Sequence, residues 1–169
     1  MANGTLKVGT ITTSSGSGNI TIGSGVTVNV NRPTFAATLS ADQPIGNATA
    51  TKVTLDTETF DTDSAFASNK FTVPTGQAGK YLFIGNIGYV NLTNEDESRA
   101  MIYKNGGVAA QVATFQGQNG TSNLAVQAVL DLAAADFIEL YAYQVSGGAI
   151  SVDGGATGIT FLHGYKIGA

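Results

Sequence analysis

Apolar residues recur at every second position in short bursts, and turn residues separate the bursts. That period is the signature of β-strands buried on one face. Near the start the bursts are Leu6 and Val8, then Ile20 and Ile22, then Val26, Val28 and Val30. Ser14-Ser15-Gly16-Ser17-Gly18 and Gly23-Ser24-Gly25 lie between them. Strands this short bury too little to stand alone and need partners. Arg32-Pro33 marks a boundary, and aromatic residues appear only beyond it. From there the pattern predicts strands over 34–39, 52–55, 70–73, 80–90, 99–104, 108–114, 123–130, 137–144, 149–152 and 158–167. Asn105-Gly106 is a hairpin signal, because both central residues of a type I′ turn need positive φ. The run 125–135 has some helical propensity, but Val126, Val129 and the flanking Asn and Asp argue for strand, with 130–136 as a short turn. A turn every ten residues or so predicts an all-β jelly-roll sandwich over 33–169, preceded by a β-rich segment over 1–32.

Composition sharpens this picture. Hydrophobic residues make up 43% of the 169 and charged residues only 12%, against about 25% charged in an ordinary soluble domain. A surface so poor in charge fits a chain covered by copies of itself, since obligate interfaces resemble a divided core. The net charge is −4 and the eight basic residues are scattered. That excludes the basic patch a phosphate backbone requires. No apolar run is long enough to cross a bilayer as a helix. The absence of cysteine excludes disulfides and thiolate metal sites. The start, Met-Ala-Asn-Gly-Thr-Leu-Lys-Val, lacks the pattern of a secretory signal, so synthesis in a reducing cytoplasm is expected.

Several stretches after Pro33 resemble the complement-globular-head and tumour-necrosis-factor jelly-roll superfamily. They are Pro33 to Leu39, Lys52-Val53-Thr54-Leu55-Asp56, Phe71-Thr72-Val73-Pro74 followed by Gly79-Lys80-Tyr81-Leu82-Phe83, and Ile102 to Gly106. Leu130-Asp131-Leu132 with Asp136 to Leu140, and the closing Phe161-Leu162-His163-Gly164-Tyr165, complete the set. The resemblance covers about four-fifths of the chain. It departs from the family at Val73, where a cysteine is frequent, and in having no collagen-like stalk. It implies a homotrimer with one sheet of each subunit facing the axis. Tyr81, Phe83, Tyr141, Tyr143, Phe161 and Tyr165 are then expected to divide between the subunit core and the trimer seam.

Candidate chemistry is sparse. His163 is the only histidine, so a Ser-His-Asp arrangement would have to use it. It stands in an alternating strand between Phe161 and Tyr165, as a packed or surface histidine would. Carboxylates cluster at Asp56, Glu58, Asp61 and Asp63, and again at Glu95, Asp96 and Glu97. The second group is the candidate calcium site, because it sits in a tight strand connection. No other cofactor and no enzymatic activity are expected. The glycines at 16, 18, 23 and 25 match no nucleotide fingerprint. The resulting expectation is a trimeric virion appendage of fibre or spike type. It would dock to other virion proteins through residues 1–32 and present its jelly roll to a host surface protein or glycan. The alternatives are a capsid decoration protein and a soluble cytokine-like or lectin-like module.

Overall fold

The computed structural model describes Ser24 and residues 32–168, except 94, 117, 118, 156 and 157. The segment expected over 1–32 therefore lies almost wholly outside the described residues. The described body is all-β. Its strands are β1 (Thr34–Thr38), β2 (Gln43–Ile45), β3 (Thr51–Lys52), β4 (Thr57–Asp61), β5 (Phe66–Ala67), β6 (Lys70–Thr72), β7 (Gly79–Leu92), β8 (Glu97–Lys104), β9 (Gly107–Phe115), β10 (Gly120–Leu132), β11 (Phe137–Val145), β12 (Ile150–Val152) and β13 (Phe161–Gly168).

They form two antiparallel sheets. The first runs β2-β12-β7-β13-β1-β4, with β10 paired to β7; the second runs β5-β6-β11-β8-β9, with β3 paired to β11. Strand β7 is the hub of the first sheet. β10 follows it from Gly79 to Leu92, while β13 and β12 share its other edge in succession. Nine of the ten strands expected after Pro33 are present, and the one expected over 52–55 shares only Lys52 with β3. The run 125–130 is strand, and the turn after it carries Ala135 at φ +70°. The hairpin tip has the expected geometry, with Asn105 at φ +52° and Gly106 at φ +81°.

The core lies between the sheets and is aromatic at its centre. The Phe35 ring stacks on Phe66 and Phe71 at 5.0 and 4.9 Å between centroids. Tyr81 and Phe83 lean on the same group from β7. Gly164 is what allows that crowding. A Cβ there would collide with the Phe35 ring and lie 2.8 Å from Phe83 Cε1. At the other end Tyr89 ties the sheets together. Its buried hydroxyl donates to the Arg99 carbonyl of β8 at 2.5 Å and accepts from the Tyr143 N–H of β11 at 3.1 Å. Burial pushes this phenol's pKa well above the ordinary tyrosine range.

One carboxylate fastens two turns. Asp136 accepts from Asn105 Nδ2 at 2.7 Å and from the Ala133 N–H at 2.9 Å, and it pairs with Lys104 Nζ at 2.9 Å. Asn105 Oδ1 in turn accepts from the Phe137 N–H at 2.9 Å. The Asn105 and Lys104 donors, with the Ala133 amide, lower Asp136 to about 2 from its usual 3.8. A depressed carboxylate stabilises the fold above its ordinary value, and that contribution fades as pH falls toward the folded value.

Two predictions follow from this packing. Gly164→Ala should lower stability by about 1–3 kcal/mol through overpacking, read as a lower midpoint in urea with the slope unchanged. Asp136→Ala should cost about 1–3 kcal/mol at neutral pH, the usual loss for a charge-assisted hydrogen-bonded group. Its deficit relative to wild type should shrink as pH drops from about 4 toward 2. A deficit that stays constant over that range would show that Asp136 does not act through its charge.

Candidate functional site

Strand alternation gives each sheet a core face and an outer face, and the two outer faces differ in kind. In the first sheet Phe35, Tyr81, Phe83 and Leu162 point inward and are fully buried. Their neighbours point outward and align in rows across the sheet. One row joins Phe60, Ala36, His163, Ile84 and Gln127 over β4, β1, β13, β7 and β10. The next joins Thr34, Tyr165, Leu82 and Val129, and a third joins Thr38, Phe161, Asn86 and Ala125. No Asp, Glu, Lys or Arg occurs in these rows. Lys80 and Asp131, paired in register, begin the charged end of the sheet. Phe60 is 43% exposed, Val129 61% and Tyr165 37%. The Asn86 amide is already committed, donating to the Ile159 carbonyl at 2.7 Å.

The outer face of the second sheet carries charge and satisfies it internally. Lys52 Nζ meets Glu139 Oε1 at 2.7 Å, and Arg99 Nε meets Glu97 Oε1 at 2.5 Å. Arg99 also lies over the Tyr143 ring and Lys70 over the Phe137 ring, each 4.7 Å from the centroid. Tyr103 and Tyr141 stack at 3.9 Å with an 18° interplanar angle. Burial, then the nearby Glu139 and Tyr103, raise the Tyr141 hydroxyl's pKa.

The six expected core and seam aromatics thus fall in three places. Tyr81 and Phe83 are core, and Phe161 and Tyr165 stand on the uncharged face. Tyr141 and Tyr143 belong to neither group. They lie on the outer side of the second sheet, because the core positions of β11 are taken by Ile138, Leu140 and Ala142. Leu82, Ile84 and Phe60, which complete the uncharged face, were not singled out in the sequence. Their signal was parity, as they share a face with residues paired in register to His163 and Tyr165.

Glu95, Asp96 and Glu97 are not brought together. Asp96 turns in and accepts from the Thr93 N–H at 2.5 Å and the Thr93 hydroxyl at 2.8 Å. Glu97 serves Arg99, and Glu95 occupies a turn at φ +71°. Among the described residues no group of three His, Asp or Glu is placed to hold a metal ion. His163 stacks on Phe161 at 4.3 Å between centroids, and burial lowers its pKa. Its neighbours along and across the sheet include no serine or carboxylate that would make a catalytic set.

No family model matches the sequence, and no curated protein matches it. Solved structures do resemble the fold. The globular domain of zebrafish complement 1qA aligns at 16% identity and a TM-score of 0.52, over 80% of this chain and 97% of that one. Murine APRIL at pH 5.0 aligns at 13% identity and a TM-score of 0.58, over 81% and 100%. Eiger TNF from S. frugiperda aligns at 13% and 0.55, over 80% and 91%. At these identities the likeness speaks for architecture alone: the described body is a two-sheet jelly roll of the complement 1q and tumour-necrosis-factor kind.

Proposed function

We infer that this chain is a non-enzymatic binding head that works as a homotrimer, with the first sheet's outer face turned to the shared axis. One observation carries the reading. Both sheets are two-faced, but only the first leaves aromatic and aliphatic side chains outside with no charge among them. Large exposed apolar patches mark places where a protein meets another surface. The second sheet also exposes Val108, Phe115 and Val145, but its outer face mixes such residues with ion pairs and cation–aromatic pairs. The architecture shared with complement 1q and TNF-type heads supports the same arrangement.

The finer reading is a virion appendage, made in the host cytoplasm and carried on the outside of the particle. Residues 1–32 would hold it to other virion proteins, and the head would meet a host surface protein or glycan. The low charge, the absence of cysteine and the alternating Gly/Ser/Thr-rich start support it.

The trimer has a direct test. Ile84 lies mid-face, so Ile84→Asp would bury three carboxylates in the seam at about 2 kcal/mol or more each. Sedimentation velocity should show wild type as a trimer and the variant as a folded monomer at micromolar concentration. A well-folded wild-type monomer under those conditions overturns the assembly. The placement has its own test. Antibodies against residues 33–169 should label the outside of intact particles from a producing lysate, and confinement of the chain to the particle-free fraction would sink it.

A further inference from the structure

His163 is the only histidine of the chain, and it stands in the middle of the uncharged face. Ala36 and Ile84 flank it in register, with Phe60 and Gln127 beyond them. The other groups facing it are Thr34 and Thr38 of β1, Leu82 and Asn86 of β7, and Phe161 and Tyr165 of its own strand. None is an acid that could pair with an imidazolium. The ionisable groups on the strands around it are Tyr165 and Lys166 of its own strand, Glu58 and Asp61 of the outer strand β4, and Lys80 with Asp131 at the far end of the sheet. Among the described residues no hydrogen bond holds a ring nitrogen of His163, whose ring stacks on Phe161. A neutral imidazole suits such a place, and a charged one does not.

We propose that the face around His163 is an acid-labile seam, in which three imidazoles stay neutral at neutral pH and their protonation drives the copies of this chain apart. The proposal rests on the trimer reading. In the single subunit, burial already depresses His163 below the ordinary 6.5, and covering the face removes more water and depresses it further. The Phe161 ring would attract an imidazolium, which works against the effect. One cation–aromatic contact is weaker than the cost of an uncompensated charge in a dry seam. The linkage has a definite sign. The histidine is depressed more in the assembly than in the free subunit, so dissociation takes up protons and is favoured as pH falls below the free subunit's value. With three histidines per trimer, the three-body dissociation constant rises by up to about a thousandfold per pH unit.

The test compares the full chain with His163→Gln by sedimentation velocity at about pH 7.5 and about pH 5, either side of the imidazole range. Wild type should be a trimer at the higher pH and smaller at the lower, with its β circular dichroism retained, while His163→Gln stays trimeric at both. A wild-type trimer at both pH values overturns the switch and leaves the assembly standing. Equal dissociation of both proteins also overturns it, by assigning the effect to carboxylates. A wild-type monomer already at the higher pH is a different failure, that of the assembly itself. Because the chain has one histidine, its ring protons give one pair of NMR signals. These should titrate lower in the wild-type trimer than in a Val129→Asp monomer, whose new carboxylate lies two strands away from the ring, and equal values would refute the seam.

Discussion

Strand β7 cannot hide both of its faces inside one subunit, and much of the molecule is arranged around that constraint. Its inward residues, Tyr81, Phe83, Ile87 and Tyr89, are fully buried against the second sheet. Its outward residues include Leu82 and Ile84, and the strands paired to it extend that surface with His163, Tyr165 and Val129. A sandwich of two sheets offers only one interior. A hub strand apolar on both sides must therefore find its second cover outside the subunit, and a closed ring of like copies is a common way to supply one.

The charges are placed consistently with this. Lys52, Lys70, Glu97, Arg99 and Glu139 all lie on the outer face of the second sheet, where they pair with one another or lie over aromatic rings. None lies in the rows of the uncharged face. The part-exposed Arg99–Glu97 pair adds little stability, while Lys52 neutralises a Glu139 carboxylate that is largely buried. Together these charges keep one face of a charge-poor molecule wet. A chain with so few charges can keep one surface in water only by leaving another without any, and the uncharged surface is then free to be covered.

Much of this fold was legible in the sequence because long strands carry their own periodicity. The runs that became β7, β8, β9, β10 and β11 were read to within about three residues at each end. Three strands escaped. Gln43–Ile45 holds Pro44 and lies at a sheet edge, where proline is tolerated but the pattern is lost. Thr57–Asp61 has one apolar residue in five, and Phe66–Ala67 is too short to show a period. The acidic residues 95–97 separate for a related reason. Neighbours in a tight connection point in different directions, so Asp96 caps Thr93 while Glu97 reaches Arg99.

Tyr141 and Tyr143 show where periodicity stops and what could have replaced it. Alternation divides β11 into two sets, Ile138, Leu140 and Ala142 against Phe137, Glu139, Tyr141 and Tyr143. It does not say which set faces the core. The family resemblance put the two tyrosines with the core and seam. The carboxylate of Glu139 decides the matter, because a charge on the same parity would have to be buried beside them with no partner inside the sandwich. Charge alone does not settle β13, where Phe161, His163, Tyr165 and Ile167 oppose Leu162, Gly164 and Lys166; Lys166 shares the inward parity but stands at the sheet's end, where it reaches Gln77 Oε1 at 3.0 Å. There the outward set carries no fixed charge. That missing charge separates a face built to be covered from one built to stay in water, and it makes a single histidine the group through which acidity can act on the face.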